Sequence, residues 1–392
     1  MRPADFTLSA GPTTVSAEVM AAMGRPIIYH YDPSFLETFR RTAERAAKVF
    51  GTKEDVILMQ GEAVVGLEAA GRACVRPGMK VLNLISGVYG KGMSDWLKMW
   101  GADVIDIVVP YNDAVTPEAV EKALKENPKV ELVTVVHSET PSGTLNPVAE
   151  IGPLARAHGA VTLVDCVSSL AGMPFHPDEW QLDICIAGAQ KCLSGPPGIT
   201  PMTVSKEAWA LIDKNPGAPR YSFVSLLDWR EIYLKGGRFP FTPSVSDVFG
   251  LEACLDWVLE QGLDKAIAQH TIAAQACRAG ARAMGLTLWA KSEAIMSTCT
   301  TAITVPEGLT DIEVSNHVRE RYGVQISDGQ NAGNLIHIAH MGVTARSLYP
   351  IAGLSAVGRS LADLGVKVDV GAGVETALQV ISATASRRSS AG

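Results

Sequence analysis

Lys191 is the side chain in this sequence best placed for covalent chemistry. It lies in Gly188-Ala189-Gln190-Lys191-Cys192-Leu193, between an apolar run and the stretch Ser194-Gly195-Pro196-Pro197-Gly198. A lysine fixed at such a junction and partly buried loses its proton more easily, so its amine can attack a carbonyl. Taken alone, a lysine after a strand is more often a surface charge. Asp165 supplies a second feature. It ends the apolar run Thr162-Leu163-Val164 and opens Cys166-Val167-Ser168-Ser169. Acids at strand ends commonly cap helices. A buried one can also keep a heterocyclic nitrogen protonated, which makes a pyridoxal ring an electron sink. An amine at one strand end and an acid at the next suit a vitamin B6 aldehyde held as an imine.

Two further segments follow apolar runs. Ser86-Gly87-Val88-Tyr89-Gly90-Lys91-Gly92 places Tyr89 in a glycine-rich loop, where its ring could stack on a flat ligand or pack on a helix. The glycines do not follow Gly-x-Gly-x-x-Gly, so a dinucleotide site is not expected. His137-Ser138-Glu139-Thr140-Pro141-Ser142-Gly143-Thr144 offers the hydroxyls of Thr140 and Ser142 at the same rim, or forms a polar turn.

These residues need a scaffold that brings strand ends together. Apolar runs at Val56–Met59, Lys80–Ile85, Val104–Val109, Val130–Val136, Val161–Val164 and Ile184–Ala187 read as strands. Ala63–Cys74, Lys91–Trp100 and Pro117–Lys125 read as helices between them. Such alternation predicts an α/β fold with a mostly parallel sheet covered on both faces, its active residues in loops after the strands. A long helical region spans Val248–Met284 with a break at Gly262. Beyond it, strands at Thr300–Val305, Val324–Ser327 and Leu335–His340, the helix Ile312–Tyr322 and two more helices predict a smaller α+β lobe. The expected division is 1–261 and 262–392, with the N-terminal segment open to joining the second lobe.

Composition narrows the classes. With 392 residues the chain can form two cores, and a formal charge of −7 argues against nucleic-acid binding. No apolar run approaches a membrane span and no secretory signal is evident, so a cytoplasmic protein is expected. The seven cysteines are scattered and form no Cys-x-x-Cys pair, which fits reduced core thiols. His30, His137, His176 and His340 lack ligand spacing, so no metal is expected.

Together these motifs resemble the class V aminotransferases. The resemblance spans nearly the whole chain, through Gly11-Pro12, His137-Ser138-Glu139-Thr140, Val164-Asp165, Gln190-Lys191, Phe241-Thr242-Pro243-Ser244 and Ile338-Ala339-His340-Met341-Gly342. It implies fold type I, with a seven-stranded sheet in the large lobe. It implies Lys191 as the imine-forming lysine and proton shuttle, Asp165 beneath the ring nitrogen and Tyr89 on the ring face. Gly61, Ala63, Thr140, Ser142 and Gln190 would line the cofactor site, with Thr242 reaching it from a second subunit of a dimer or dimer of dimers. Glu62, in Gln60-Gly61-Glu62-Ala63, stands where relatives cradle the cofactor phosphate. A carboxylate there would repel a phosphate and could accept a hydrogen bond from a free 5′-hydroxyl. It could equally be an acid stabilised by a helix N-terminus. The cofactor is therefore expected to be of the pyridoxal 5′-phosphate type, or unphosphorylated pyridoxal or pyridoxamine bound as a substrate.

The implied reaction transfers an amino group between pyridoxamine and a small oxo acid such as pyruvate. The alternatives are an alanine/serine–glyoxylate type aminotransferase using bound phosphate ester, or a non-catalytic B6-binding protein. The pattern breaks in the second lobe. Two arginines that hold the substrate carboxylate in relatives are replaced by His337 and Gln330, with Arg346 nearby. Neither replacement reproduces a guanidinium fork. Tyr31, in Tyr31-Asp32-Pro33, completes the expected substrate-binding set.

Overall fold

Aliphatic and β-branched runs alternate with helices in the first half of the chain, and they assemble as one sheet. The computed structural model describes residues 4–346 and 348–389. The sheet strands are β1 (Val56–Gln60), β2 (Lys80–Ile85), β3 (Asp103–Val108), β4 (Val130–Val136), β5 (Val161–Asp165), β6 (Ile184–Ile186) and β7 (Ile199–Val204). Their order is β1-β7-β6-β5-β4-β2-β3, seven strands in all. Only β7 runs antiparallel to its neighbours. The connection from β6 to β7 is taken up by the Lys191 loop and carries no crossover helix, so the chain returns antiparallel. β7 is the one large-sheet strand that the sequence pattern does not single out. Pro201 lies inside it, and proline normally argues against a central strand.

Helix α1 (Ala63–Cys74) follows β1, and helix α2 (Val88–Met99) follows β2. The start of α2 lies three residues before the expected Lys91, so Tyr89 sits in its first turn and not in a loop. The reason is long-range. Gly87 has no side chain to cap the helix, and the buried Glu139 carboxylate accepts hydrogen bonds from the backbone N–H of Tyr89 (3.2 Å) and Gly90 (2.7 Å). A Cβ on Gly87 would lie 2.3 Å from Glu139 Cδ, so the acid reaches the helix end only because residue 87 is glycine.

The long helical region is two helices, α3 (Val245–Gln261) and α4 (Leu263–Ala283), separated by Gly262 at φ +90°. After them come β8 (Thr300–Thr304), β9 (Ser327–Asp328) and β10 (Leu335–Ala339), in the order β8-β10-β9 and all antiparallel. The expected single strand at Val324–Ser327 is divided. Val324–Gln325 pairs in parallel with Phe6–Thr7, and Ser327 turns to pair with β10.

Apolar side chains form two large clusters. One runs from Val19 to Ala266 around the seven-stranded sheet. The other joins Leu8 to residues of α4, β10 and the helices Tyr349–Asp363 and Val370–Ser389. Alternation along β10 decides what faces the gap between the clusters. Ile336 and Ile338 enter the second cluster, while Leu335 and Ala339 point the other way. Among the described residues no helix is long and apolar enough to cross a membrane.

Candidate active site

Strand ends β5 and β6, the first turn of α1 and the first turn of α2 meet around a cavity of ≈ 330 Å³. Lys191, Asp165, Tyr89, Glu62, Ala63, Thr140 and Gln190 all line it, together with Gly11, Pro12 and Ser168. Seven side chains expected from sequence thus converge, although they are spread over more than a hundred residues.

Lys191 is 9% exposed. Its Nζ donates to the carbonyl oxygen of Ala10. Burial moves its pKa down from the ordinary lysine value, against the opposing pull of Glu62 and Asp165. A lowered pKa is what an amine needs to act as a nucleophile or proton acceptor. The segment from Leu8 to Thr13 forms a strap over this lysine. Leu8 O accepts from Ala339 N on β10, and Ala10 N donates to Ser327 Oγ on β9. Thr13 Oγ1 donates to the carbonyl oxygens of Gln190 (3.0 Å) and Lys191 (3.1 Å). Gly11, at φ +131°, lies against the lysine, and a Cβ there would come within 2.5 Å of Nζ. The strap's role was not read from the sequence. The only signal was the Gly11-Pro12 dipeptide, because the contact spans about 180 residues of chain.

Asp165 ends β5 at 8% exposure and accepts from the backbone N–H of Val167 at 3.0 Å. Burial pushes its pKa up to about 6, only partly opposed by the Val167 hydrogen bond and by Lys191. Glu139, fully buried, is pushed up to about 7 by the same cause. Both carboxyls bind protons more tightly in the folded chain than in the unfolded one. Their share of stability is therefore full below about pH 4 and is lost as pH rises through 6 and 7. For Asp165 the loss is roughly 3 kcal/mol at ~1.4 kcal/mol per pKa unit. Asp165→Asn keeps the Val167 contact and removes that loss. Urea titrations at pH 5 and pH 8 are expected to show the variant gaining on the wild type as pH rises. An unchanged difference at the two pH values would count against a buried, proton-binding Asp165.

Glu62 is the N-cap of α1. Its Oε2 accepts from Val64 N at 2.9 Å, and its Oε1 accepts from Gln190 Nε2 at 2.6 Å. The acid thus occupies a backbone donor at the helix end, the Val64 N–H, that would otherwise be free for an anion. Gln190 Oε1 is buried without a partner among the described residues. Thr140 Oγ1 lies 2.5 Å from Ser168 Oγ at the wall. Tyr89 presents a ring that is 43% exposed over the cavity.

Other expected residues lie elsewhere. Gly61 donates its N–H to Gly198 O, and its own carbonyl accepts from Thr200, which holds the turn into α1. Ser142 is on the hairpin turn and contacts Thr144 Oγ1 at 2.8 Å. Tyr31 packs against Phe239 and Arg238. Gln330 is exposed in a loop at φ +46°. Arg346 is engaged by Gln261 and Gln269 and lies over Trp257, so it does not reach Lys191. Thr242 lines a separate surface pocket with Ile27, Tyr29 and His30. His337 is fully buried on the face of β10 that it shares with Leu335 and Ala339, and it does not line the cavity; burial, helped by Lys191, pushes its pKa down to about 3.

The residues fit a B6 vitamer. The lining brings together two acids, a phenol ring and a buried amine among apolar side chains. When bound, a B6 aldehyde supplies an electron sink for the charge left when a carbon loses its proton. In that setting Asp165 would hold a positive ring nitrogen, Lys191 would carry the proton, and the Leu8–Thr13 strap would keep water from the amine.

Comparison with known proteins identifies the family. The family model described as aminotransferase class V matches residues 8–352. The chain is 44% identical over 382 residues to the pyridoxamine–pyruvate transaminase of Mesorhizobium japonicum, covering 97% of each. It superposes on the crystal structure of pyridoxamine–pyruvate aminotransferase from Mesorhizobium loti with a TM-score of 0.95, at 43% identity and 98% coverage of each chain. Ureidoglycine–glyoxylate aminotransferase from Bacillus subtilis superposes with a TM-score of 0.92, at 26% identity, covering 97% of this chain and 99% of that one. The chain belongs to the class V aminotransferases.

Proposed function

We propose that this enzyme moves an amino group between pyridoxamine and a small oxo acid such as pyruvate, giving pyridoxal and an amino acid such as alanine. Lys191 forms the imine and shuttles the proton, and Asp165 pairs with the ring nitrogen. The observation that carries the choice of vitamer is Glu62. Its carboxylate already caps α1 and is braced by Gln190, at the helix end where an anion would dock. A second negative charge about 4 Å away costs ~4 kcal/mol at intermediate dielectric. A phosphate carries nearly two charges, so the free vitamer is favoured. The similarity to a pyridoxamine–pyruvate transaminase supports the same reading.

The direct experiment supplies purified protein with pyridoxamine and pyruvate, without phosphate ester, and follows pyridoxal. Absence of pyridoxal with every oxo acid tried would sink the proposal. Glu62→Ala is expected to tighten binding of pyridoxal 5′-phosphate tenfold or more and to weaken pyridoxal, measured by absorbance titration. Equal effects on both vitamers would leave Glu62 as a helix cap only.

The proposal includes a cytoplasmic homo-oligomer with two lobes divided near Gly262. Ile27, Tyr29, Tyr221 and Phe223 are exposed, and Phe223 packs on Phe241 beside Thr242. Such an apolar surface suits burial by a second copy. Sedimentation at micromolar concentration tests it, and a monomer there would overturn it.

A further inference from the structure

A second cavity, of ≈ 490 Å³, shares no lining residue with the catalytic one. Its volume falls within the range of small-molecule sites, about 300–1,000 Å³. A single wall separates the two. Just after β4, Ser138 lines the catalytic cavity and His137 lines the other. Just after β5, Ser168 lines the catalytic cavity and Ser169 holds His137. His137 is 4% exposed, and its Nδ1 lies 2.9 Å from Ser169 Oγ. That hydroxyl donates its own proton to the carbonyl oxygen of Cys166, so Nδ1 carries a proton and donates to Ser169. With Nδ1 turned to Ser169, the opposite ring edge, which carries Nε2, faces the cavity. Nε2 has no hydrogen-bond partner among the described residues. Burial pushes the imidazole pKa down to about 3, so Nε2 stays an acceptor at neutral pH. A polar atom in such a place calls for a water or a ligand.

The rest of the wall sets what can meet that acceptor. Asn146 is fully engaged: its Oδ1 accepts from Val115 N, and its Nδ2 donates to Ser86 Oγ and to the carbonyl oxygen of Val136. Asp113 is paired with Lys291. Glu150, exposed on the first turn of the helix Val148–His158, has no ion pair among the described residues. No lysine or arginine lines the cavity. Of the charged or buried polar side chains, those with capacity left are therefore His137 and Glu150, and both accept. The apolar part of the wall is flat and polarisable, with Trp180, Met173, Pro147 and Pro174.

We propose that this cavity is a second ligand site, which takes a small aromatic amine whose ring carries a hydroxyl. The hydroxyl donates to His137 Nε2, the ring packs against Trp180, and the ammonium pairs with Glu150. The two wall acids turn away an aromatic carboxylate. The occupant lies behind the catalytic wall and takes no part in amino transfer.

The probe is N,N-dimethyltyramine, a tertiary amine that cannot form an imine with a B6 aldehyde. Calorimetric titration into the purified protein is expected to give saturable binding with a Kd below about 1 mM, unchanged by added pyridoxal. The same phenol bearing a carboxylate, 3-(4-hydroxyphenyl)propionate, should bind at least tenfold more weakly. N,N-dimethylphenethylamine, which lacks the hydroxyl, should bind about fivefold more weakly. Glu150 is exposed, so Glu150→Gln should weaken the probe only about threefold. Ala294→Trp puts a large side chain on an exposed lining position and is expected to abolish binding. In His137→Phe the two amines should bind alike. If that variant does not fold, the two exposed substitutions still decide. No saturable binding to the wild type, equal binding of the carboxylate, or undiminished binding to Ala294→Trp would overturn the proposal. Displacement of the probe by pyridoxal would put it in the catalytic cavity and overturn the proposal as well.

Discussion

Lys191→Ala is expected to lower transamination by more than ~10³-fold, because one side chain is asked to perform two jobs. The general acid–base part alone contributes about 10²–10⁴-fold in enzymes. Loss of the amine would also remove the group proposed to join the vitamer covalently. The local structure makes compensation hard. No other amine lines the cavity among its described residues. Lys191→Arg should fare little better, since a guanidinium stays protonated. Rates with pyridoxamine and pyruvate measure the effect. Borohydride reduction in the presence of pyridoxal, followed by peptide mass analysis, locates the label. A label at a residue other than 191, or an alanine variant within tenfold of the wild type, would refute the assignment.

Asp165→Asn is expected to cost on the order of 10³-fold in kcat/KM. An ion pair about 4 Å apart is worth ~4 kcal/mol at intermediate dielectric, and a neutral amide forfeits it. The geometry is otherwise preserved, because the Val167 N–H still finds a side-chain oxygen. The pH profile separates charge from shape. With the Asp165 pKa pushed up to about 6 by burial, the free wild-type enzyme loses the carboxylate as pH falls through 6. Its kcat/KM should fall on that acidic limb, and the limb should be missing from the asparagine variant. The variant should also be the more stable protein above pH 6, so its inactivity cannot be blamed on unfolding. A variant retaining more than a tenth of wild-type kcat/KM would remove Asp165 from the ring nitrogen.

Much of the fold was legible because it is written locally. Ala63–Cys74, Lys80–Ile85 and Val130–Val136 have the same bounds in sequence pattern and structure. Their apolar periodicity and flanking turn residues leave little choice. β7 was not legible, since Pro201 breaks the local rule and is tolerated only by its neighbours in the sheet. The start of α2 was misplaced for a related reason. Its cap is Glu139, a residue about fifty positions away. The strap across Lys191 lay further out of reach.

The chemical types were already written in the chain: an amine, an acid and a phenol, each following an apolar run. A residue type and its neighbours set intrinsic chemistry, and strand periodicity sets which end of a run faces the loops. Tertiary structure decided the environment of each group. Burial lowers the pKa of Lys191 and raises that of Asp165, and folding fastens Glu62 to Gln190 and Arg346 to α3. Desolvation and partner choice depend on contacts between distant segments, and those exist only in the folded chain.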